Sequence, residues 1–429
     1  MERSADTNEV ISPKPAQKSE AVEAFQFNPF DPEVHANPYP TYHRLRSREP
    51  ILRFKSFTGG DGWFLTRFAD VKAVLSDSRF GVDNLPKRLK DKSFYLKQQE
   101  DFNILTQTIS KWLFFLDPPD HTRLRGLLSK AFSANVLESM RPQIQKIVDG
   151  LLGKVKSAGS MDVMADLACP LPAIVIASIL GVPTEQHSEL RQWSQDLFYV
   201  FDQPISLKDY EYLNKVALEF REYFSSLIAE REKKPKEDLL SYLVAAKNQD
   251  NKLSEDEILG TCAMLFSVGQ ETTQNLIGNG VLALLHHPDQ MQKLKAEPTI
   301  INSAIEELLR YDSPVQFIDR LAIEDVEIDG KTIRAGDRVE LCLGAANRDP
   351  AQFPDPDRLD LTRYHYSLPF GAGIHHCLGA MLARIQGQIA INAIVQQLCD
   401  LKLNTNKLEW KKNIVLRGLA ALPVTFSCK

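Results

Sequence analysis

The chain has 429 residues, 43% of them hydrophobic and 25% charged, with a formal net charge of −5. This is ordinary globular composition, ample for a large buried core. No basic tract is dense enough for nucleic acid, and no apolar run reads as a signal peptide or membrane anchor.

Taken in order, Met1 to Glu23 is polar and is expected to be disordered, which sets a tail at residues 1–27 and one large domain at 28–429. Asn28-Pro29-Phe30-Asp31-Pro32 and Asn37-Pro38-Tyr39-Pro40 are turn-rich. A helix is expected over Thr41–Glu49. Strands Ile51–Phe54 and Gly62–Phe68 are expected to pair around Thr58-Gly59-Gly60-Asp61, followed by a short helix, Ala69–Ser76. Residues from Gly81 to Ser110 are irregular, and so long a connection inside a domain is functional or disordered. The clusters Lys87-Arg88-Leu89-Lys90 and Arg231 to Lys236 read as solvated loops.

From Asp120 to Leu294 the periodicity is helical, with helices expected at Leu137–Val155, Leu171–Leu180, Ser188–Phe201, Asp209–Arg231 and Asp238–Lys247. Ser254-Glu255-Asp256-Glu257 is a capping box that opens a long helix, Ile258–His287, which stops before Pro288. At about 1.5 Å per residue it spans about 45 Å. It is apolar nearly all round and so should be buried, but Val268-Gly269-Gln270-Glu271-Thr272-Thr273 interrupts it with an acid and hydroxyls. Such polarity in an apolar helix costs free energy unless something requires it. Strands follow at Arg320–Ile323, Val326–Ile328 before the turn Asp329-Gly330, Arg338–Cys342, Ile414–Leu416 and Pro423–Phe426. A last helix is expected over Ala380–Leu398. The fold class is therefore mainly α, an α-rich α+β architecture with a minor antiparallel sheet.

The six cysteines, Cys169, Cys262, Cys342, Cys377, Cys399 and Cys428, have no disulfide-like spacing. In a chain of this size they indicate a reducing, cytoplasmic compartment. Cys377 lies in Phe370-Gly371-Ala372-Gly373-Ile374-His375-His376-Cys377-Leu378-Gly379, which leads into the last helix. Its glycines allow a tight turn and close approach to a flat ligand. The free N–H groups of the following helix favour a thiolate. A thiolate under haem iron fits this loop, because it pushes electron density onto the metal. Zinc does not, since His375, His376 and Cys377 are too close together and no second ligand pair exists.

The pattern Phe-Gly-x-Gly-x-His-x-Cys-x-Gly resembles the haem-ligand signature of the cytochrome P-450 family, in its soluble bacterial-type branch. The resemblance covers nearly the whole chain after Asn28 and implies the single-domain fold of that family. It implies haem b as cofactor, Cys377 as iron ligand, and Phe370, Gly371 and Gly379 at the haem. The stretch Asp117 to Arg125 resembles the propionate-binding helix, so that His121 and Arg125, with Arg320 and His375, would meet the propionates. Val268 to Thr273 resembles the family's oxygen-side element. By that match Thr272 is the proton-delivery hydroxyl and Glu271 the relay acid, with Val268 crowding the space above the iron. Glu307-Leu308-Leu309-Arg310 resembles the Glu-x-x-Arg helix, with Arg358 the expected third partner.

The implied activity is a monooxygenase that inserts one atom of dioxygen into an apolar polyketide, terpenoid, steroid or fatty-acid-like molecule. Substrate contacts are expected from Phe94, Tyr95, Phe102, Trp112, Phe114, Phe198, Tyr199, Phe201, Val315 and the tail near Leu416 to Leu419. Gln316 is placed to orient a substrate oxygen. No flavin or iron–sulfur motif is present, so electrons should come from a separate ferredoxin and ferredoxin reductase. Arg123, Lys130 and Arg384 are candidates to meet an acidic partner, and the protein is expected to act as a monomer. Alternatives are oxidative coupling and peroxygenase chemistry, the latter disfavoured by the Glu271–Thr272 pair. A haem-based gas or redox sensor is the non-enzyme alternative.

Overall fold

Ser254 and Glu257 cap one another: the Glu257 N–H donates to Ser254 Oγ at 3.2 Å and the Ser254 N–H to Glu257 Oε2 at 2.8 Å. From this box the central helix Glu255–His286 runs 32 residues. It is buried over most of its length, as its apolar surface requires. A computed structural model of the chain describes residues 28, 31–55, 61–82, 104–183, 186–201, 206–248 and 253–428.

Around the central helix pack Pro170–Leu180, His187–Phe198, Leu207–Lys233 and Ala380–Gln397, whose apolar faces join it in one core. Helix Ala380–Gln397 approaches most closely where glycines permit. A side chain at Gly387 would lie 2.9 Å from Leu276, and one at Gly280 would lie 2.8 Å from Ile391. These contacts put the two helices side by side and running in the same direction. Cys377 stands ten residues, nearly three turns, before Gly387, and Thr272 one turn before Leu276. At that end Gly379 faces open space instead of a neighbour.

The helix expected over Leu137–Val155 is two helices, Ala134–Ser139 and Arg141–Val155. Pro142 explains the break: it has no N–H, and its ring would clash with a carbonyl one turn back. The main sheet runs in the order Ile51–Lys55, Asp61–Leu65, Arg338–Cys342, Phe317–Ala322, Phe80–Gly81. It is mixed rather than antiparallel throughout, because Gly62 to Leu65 pair parallel to Arg338 to Leu341. The hairpin Val326–Ile328 and Lys331–Ile333 turns at Asp329 and Gly330, both with positive φ (50° and 72°), as a two-residue hairpin turn requires.

Ile414–Leu416 is not a strand. It carries one isolated bridge, Leu416 to Val315, flanked by bonds from Gln316 N to Val415 O and Arg417 N to Pro314 O. The chain end pairs instead as Pro423–Cys428 with Leu398–Leu403 and Ser160–Asp162. Arg231 is also not solvated. It is fully buried, with Nε 2.7 Å from Asp238 and Nη2 donating to the Gly181 carbonyl at 2.7 Å. Lys87 to Lys90 lie outside the described residues.

Candidate active site

The loop before helix Ala380–Gln397 is held by its own backbone. Cys377 N donates to Phe370 O at 3.0 Å and His376 N to Gly373 O at 3.1 Å. Gly371 and Gly373 adopt φ of 67° and 70°, which disfavours any side chain. At Gly373 a Cβ would also lie 2.1 Å from the Leu75 carbonyl. At Gly371, by contrast, no described residue stands within 4 Å of where a Cβ would lie, which leaves room for a ligand on this face of the loop.

Cys377 is accessible to solvent. The surrounding protein is nonetheless dense enough that burial raises its thiol above the ordinary pKa. The Gly379 N–H, the guanidinium groups of Arg125 and Arg384, and the Ala380 N–H all oppose that rise. The helix N-terminus thus acts on the sulfur with the expected sign, but desolvation outweighs it. A metal ion held by this thiol would reverse the balance, since a ligating thiol gives up its proton.

Four donors converge beside the loop. The rings of His121 and His375 lie 4.3 Å apart between centroids, and both Nε2 atoms are buried without a hydrogen-bond partner among the described residues. His375 is pushed down to about 3 by burial and by the charges of Arg320, His121 and Arg125. His121 is lowered by burial and by Arg125. Arg125 and Arg320 are themselves lowered by burial. Positive charge and two orphaned ring nitrogens are therefore gathered, with Asp117 and Asp319 acting in the opposite sense. A group carrying two carboxylates fits this set, as haem fits the accessible sulfur and the open faces of Gly371 and Gly379.

Glu271 and Thr272 sit midway along the central helix. Thr272 Oγ1 donates back to the Val268 carbonyl at 3.0 Å. The Glu271 carboxylate is mostly buried and engaged at both oxygens, with Lys411 Nζ 2.6 Å from Oε1 and Gln274 donating to Oε2. Nothing in the sequence marks Lys411 as the partner of Glu271, 140 residues away along the chain.

The buried Glu307–Arg310 pair is closed by Arg363, not Arg358. Arg310 Nε and Nη2 donate to the two Glu307 oxygens at 2.7 and 2.9 Å, and Arg363 Nε lies 3.1 Å from Oε1. Arg358 contributes only its carbonyl, which accepts from Arg363 and Arg310. Arg310 also donates to the carbonyls of Asn347 and Pro356, and the Asn347 side chain accepts from Leu368 N at 2.7 Å. The network therefore pins residues 347–368, immediately upstream of Phe370. Every donor has a partner, which is what makes a buried ion cluster tolerable.

Gln316 is equally committed to the fold. Its amide donates to Ser313 O at 2.7 Å and accepts from Tyr42 OH at 3.0 Å, so it is not poised for a substrate. Arg384 pairs with Glu306 and lies 4.4 Å over the Phe370 ring. Arg123 pairs with Glu257 and Asp120. Of the three cations proposed to meet a partner, Lys130 is exposed and enters no ion pair among the described residues. Trp112 is buried in the core beside Phe114 and Phe115, Phe198 is also buried, and Tyr199 is largely exposed. Phe94, Tyr95 and Phe102 lie outside the described residues.

The sequence matches the family model for cytochrome P-450 over residues 83–424. The chain belongs to the cytochrome P-450 family. Members bind haem b through a cysteine thiolate and act as monooxygenases. The polyketide biosynthesis cytochrome P-450 PksS of Bacillus subtilis is 39% identical over 415 residues, covering 95% of this chain and all of that protein. The vitamin D(3) 25-hydroxylase of Pseudonocardia autotrophica is 40% identical, covering 91% of this chain and 94% of that one. Among solved structures, P-450BioI in complex with an acyl carrier protein ligated to hexadec-9Z-enoic acid is 40% identical. It has a TM-score of 0.85 and covers 92% of this chain and 99% of that one. This cytochrome P-450 thus shares its fold with P-450BioI over nearly its whole described length.

Proposed function

We propose that this chain is a haem-thiolate monooxygenase for a medium-sized apolar substrate, with Cys377 as the iron ligand. The accessible sulfur, with the Gly379 and Ala380 N–H groups directed at it beside the His121–His375 cluster, carries this reading. His121, Arg125, Arg320 and His375 would hold the propionates, with Phe370, Gly371 and Gly379 forming the floor of the site. When bound, haem supplies dioxygen activation, with one oxygen atom going to the substrate and the other to water at the expense of two electrons.

The remaining chemistry falls to side chains. Thr272 holds a proton at Oγ1 and Glu271 resupplies it. The carboxylate is held by Lys411 and Gln274 and the hydroxyl by the Val268 carbonyl, so resupply requires the Glu271 side chain to turn. Replacing Thr272 by Ala should leave haem binding unchanged and divert reductant several-fold from product to hydrogen peroxide. Unchanged coupling with a true substrate would remove Thr272 from this role.

Propionate binding is tested separately. Arg320→Ala removes a charge-assisted hydrogen bond worth about 1.5–3 kcal/mol. Haem should then transfer to a scavenger protein at least about tenfold faster. An unchanged transfer rate would move the propionates away from Arg320.

Relatives named for polyketide biosynthesis, for vitamin D(3) hydroxylation and for a fatty-acyl carrier complex support an apolar substrate. The decisive experiment on substrate class follows the iron spin state while polyketides, steroids and fatty acyl compounds are added. A ferredoxin and its reductase would supply the electrons, in the cytoplasm. Among the described residues, no helix is long and apolar enough to cross a membrane.

A further inference from the structure

Val315 and Leu416, both in segments expected to touch substrate, face one another in a single antiparallel bridge. Two backbone bonds of 2.8 Å flank it, from Gln316 N to Val415 O and from Arg417 N to Pro314 O. Side chains alternate along extended backbone, so Gln316 and Arg417 point away from the side that carries Val315 and Leu416. This short ribbon also reaches the central helix. Asn279 Nδ2 donates to the Arg417 carbonyl at 3.0 Å, and a Cβ at Gly418 would stand 2.0 Å from Asn275 Oδ1. Asn275 lies three residues past Thr272, which puts the ribbon beside the candidate site.

Behind the ribbon lies a cavity of about 30 Å³, lined by Gln316 and Arg417 but not by Val315 or Leu416. Val34 and Tyr42 line its far side, from the helices Pro32–Ala36 and Tyr39–Arg48. Arg417 bridges the two sides. Its Nε donates to Asp312 Oδ1 at 2.7 Å, and Nη1 and Nη2 donate to the carbonyls of His35 and Ala36 at 2.9 and 3.0 Å. The guanidinium also lies 3.6 Å over the Trp410 ring. Asp312 is the residue that ends helix Ile301–Tyr311, and it accepts from Tyr39 OH at 2.6 Å as well. One planar cation, 9% exposed, therefore ties the ribbon to two helix ends and an indole face.

We infer that Arg417 is a positioning residue for substrate selection, a strut that holds the Val315–Leu416 ribbon forward and so sets the width of the substrate pocket. The inference rests on the reading of this site as one for an apolar substrate beside haem. Arg417 itself faces away from the pocket and touches no substrate. A ribbon joined by one bridge is held less firmly than a strand within a sheet, and a cavity stands behind it. Removing the guanidinium enlarges that cavity, and structure around a deleted side chain relaxes into the space as far as its other bonds allow. The ribbon then moves back. A slender ligand loses its packing against Leu416, and a broad one gains room.

The test uses two ligands that share an imidazole to bind iron and differ in shape, N-octylimidazole and N-tritylimidazole, with imidazole itself as reference. Absorption titration of the haem-loaded protein gives their dissociation constants without turnover. Arg417→Ala should weaken the octyl ligand and tighten the trityl one. Their affinity ratio should move by at least about tenfold, the equivalent of one leucine's apolar contact. Imidazole affinity and the red-shifted ferrous carbonyl band should stay as they were. In the Arg417→Ala background, Val34→Phe fills the cavity from the helix side and should return the ratio towards its starting value. Arg231→Met breaks a buried ion pair in another part of the chain. It should lower the unfolding midpoint and leave the ratio alone. If Arg417→Ala does not accumulate, Arg417→Ala/Asp312→Asn removes both charges and replaces it. The inference is overturned by an unchanged ratio in Arg417→Ala, by an equal shift in Arg231→Met, or by no reversal with Val34→Phe. The haem-thiolate reading would survive each of these, and it fails separately if the unmodified protein lacks the carbonyl band.

Discussion

Cys377→His should eliminate the strongly red-shifted absorption of the ferrous carbonyl adduct. Monooxygenase turnover should disappear with it, while the protein remains folded. The reason is electronic. Imidazole binds iron but does not push charge onto it as a thiolate does, and that push is what favours O–O cleavage. The fold should tolerate the change because the loop is held by backbone bonds, Cys377 N to Phe370 O and His376 N to Gly373 O, which do not involve the sulfur. Circular dichroism and haem content measured beside the carbonyl spectrum separate loss of the ligand from loss of the protein. Retention of the red-shifted band would show that another residue ligates the iron.

Glu307→Ala should have an effect of a different kind and nearly as large. Glu307 and Arg310 side chains are almost fully buried, at 1% and 2% exposure, and Arg363 joins them. Removing the acid leaves two guanidinium groups without their counter-charge, a change that typically costs about 3–5 kcal/mol. It also releases the Asp360 N–H, which donates to Glu307 Oε1 at 2.9 Å. Residues 347–368 would loosen, and with them the approach to Phe370 and Cys377. The measurable result is a lower unfolding midpoint and a preparation poor in haem. Arg363→Ala should follow the same course more mildly, and Arg358→Ala should not, because Arg358 contributes only a carbonyl that alanine retains. A strong loss in Arg358→Ala with none in Arg363→Ala would reverse this assignment.

That contrast shows what a sequence can and cannot disclose. Ser254 and Glu257 marked the start of the central helix because a capping box is a local device whose two bonds lie within four residues. Asp329-Gly330 marked its hairpin for a similar reason: both residues accept positive φ. The Cys377 loop stood out because its glycines and its cysteine fall within ten residues. Arg363 was not legible. It lies five residues beyond Arg358 in a turn-rich stretch without periodicity, and only the folded path of residues 347–368 decides which guanidinium reaches Glu307.

The same holds for Arg231, which reads as part of a solvated charge run until Asp238 and the Gly181 carbonyl close around it. Lys411 meets Glu271 across 140 residues of chain. The parallel pairing of Gly62 with Arg338 is equally remote. Gln316 shows the opposite error. A polar residue between apolar neighbours suggested substrate contact, whereas its hydrogen bonds are spent on Tyr42 and Ser313. Local chemistry was readable, and long-range partnership was not.

X-ray absorption at the iron edge of the purified ferric protein tests the central assignment most directly. One sulfur atom in the first coordination shell, lost in Cys377→His, is the predicted result. A first shell of nitrogen and oxygen alone in the unmodified protein would contradict it.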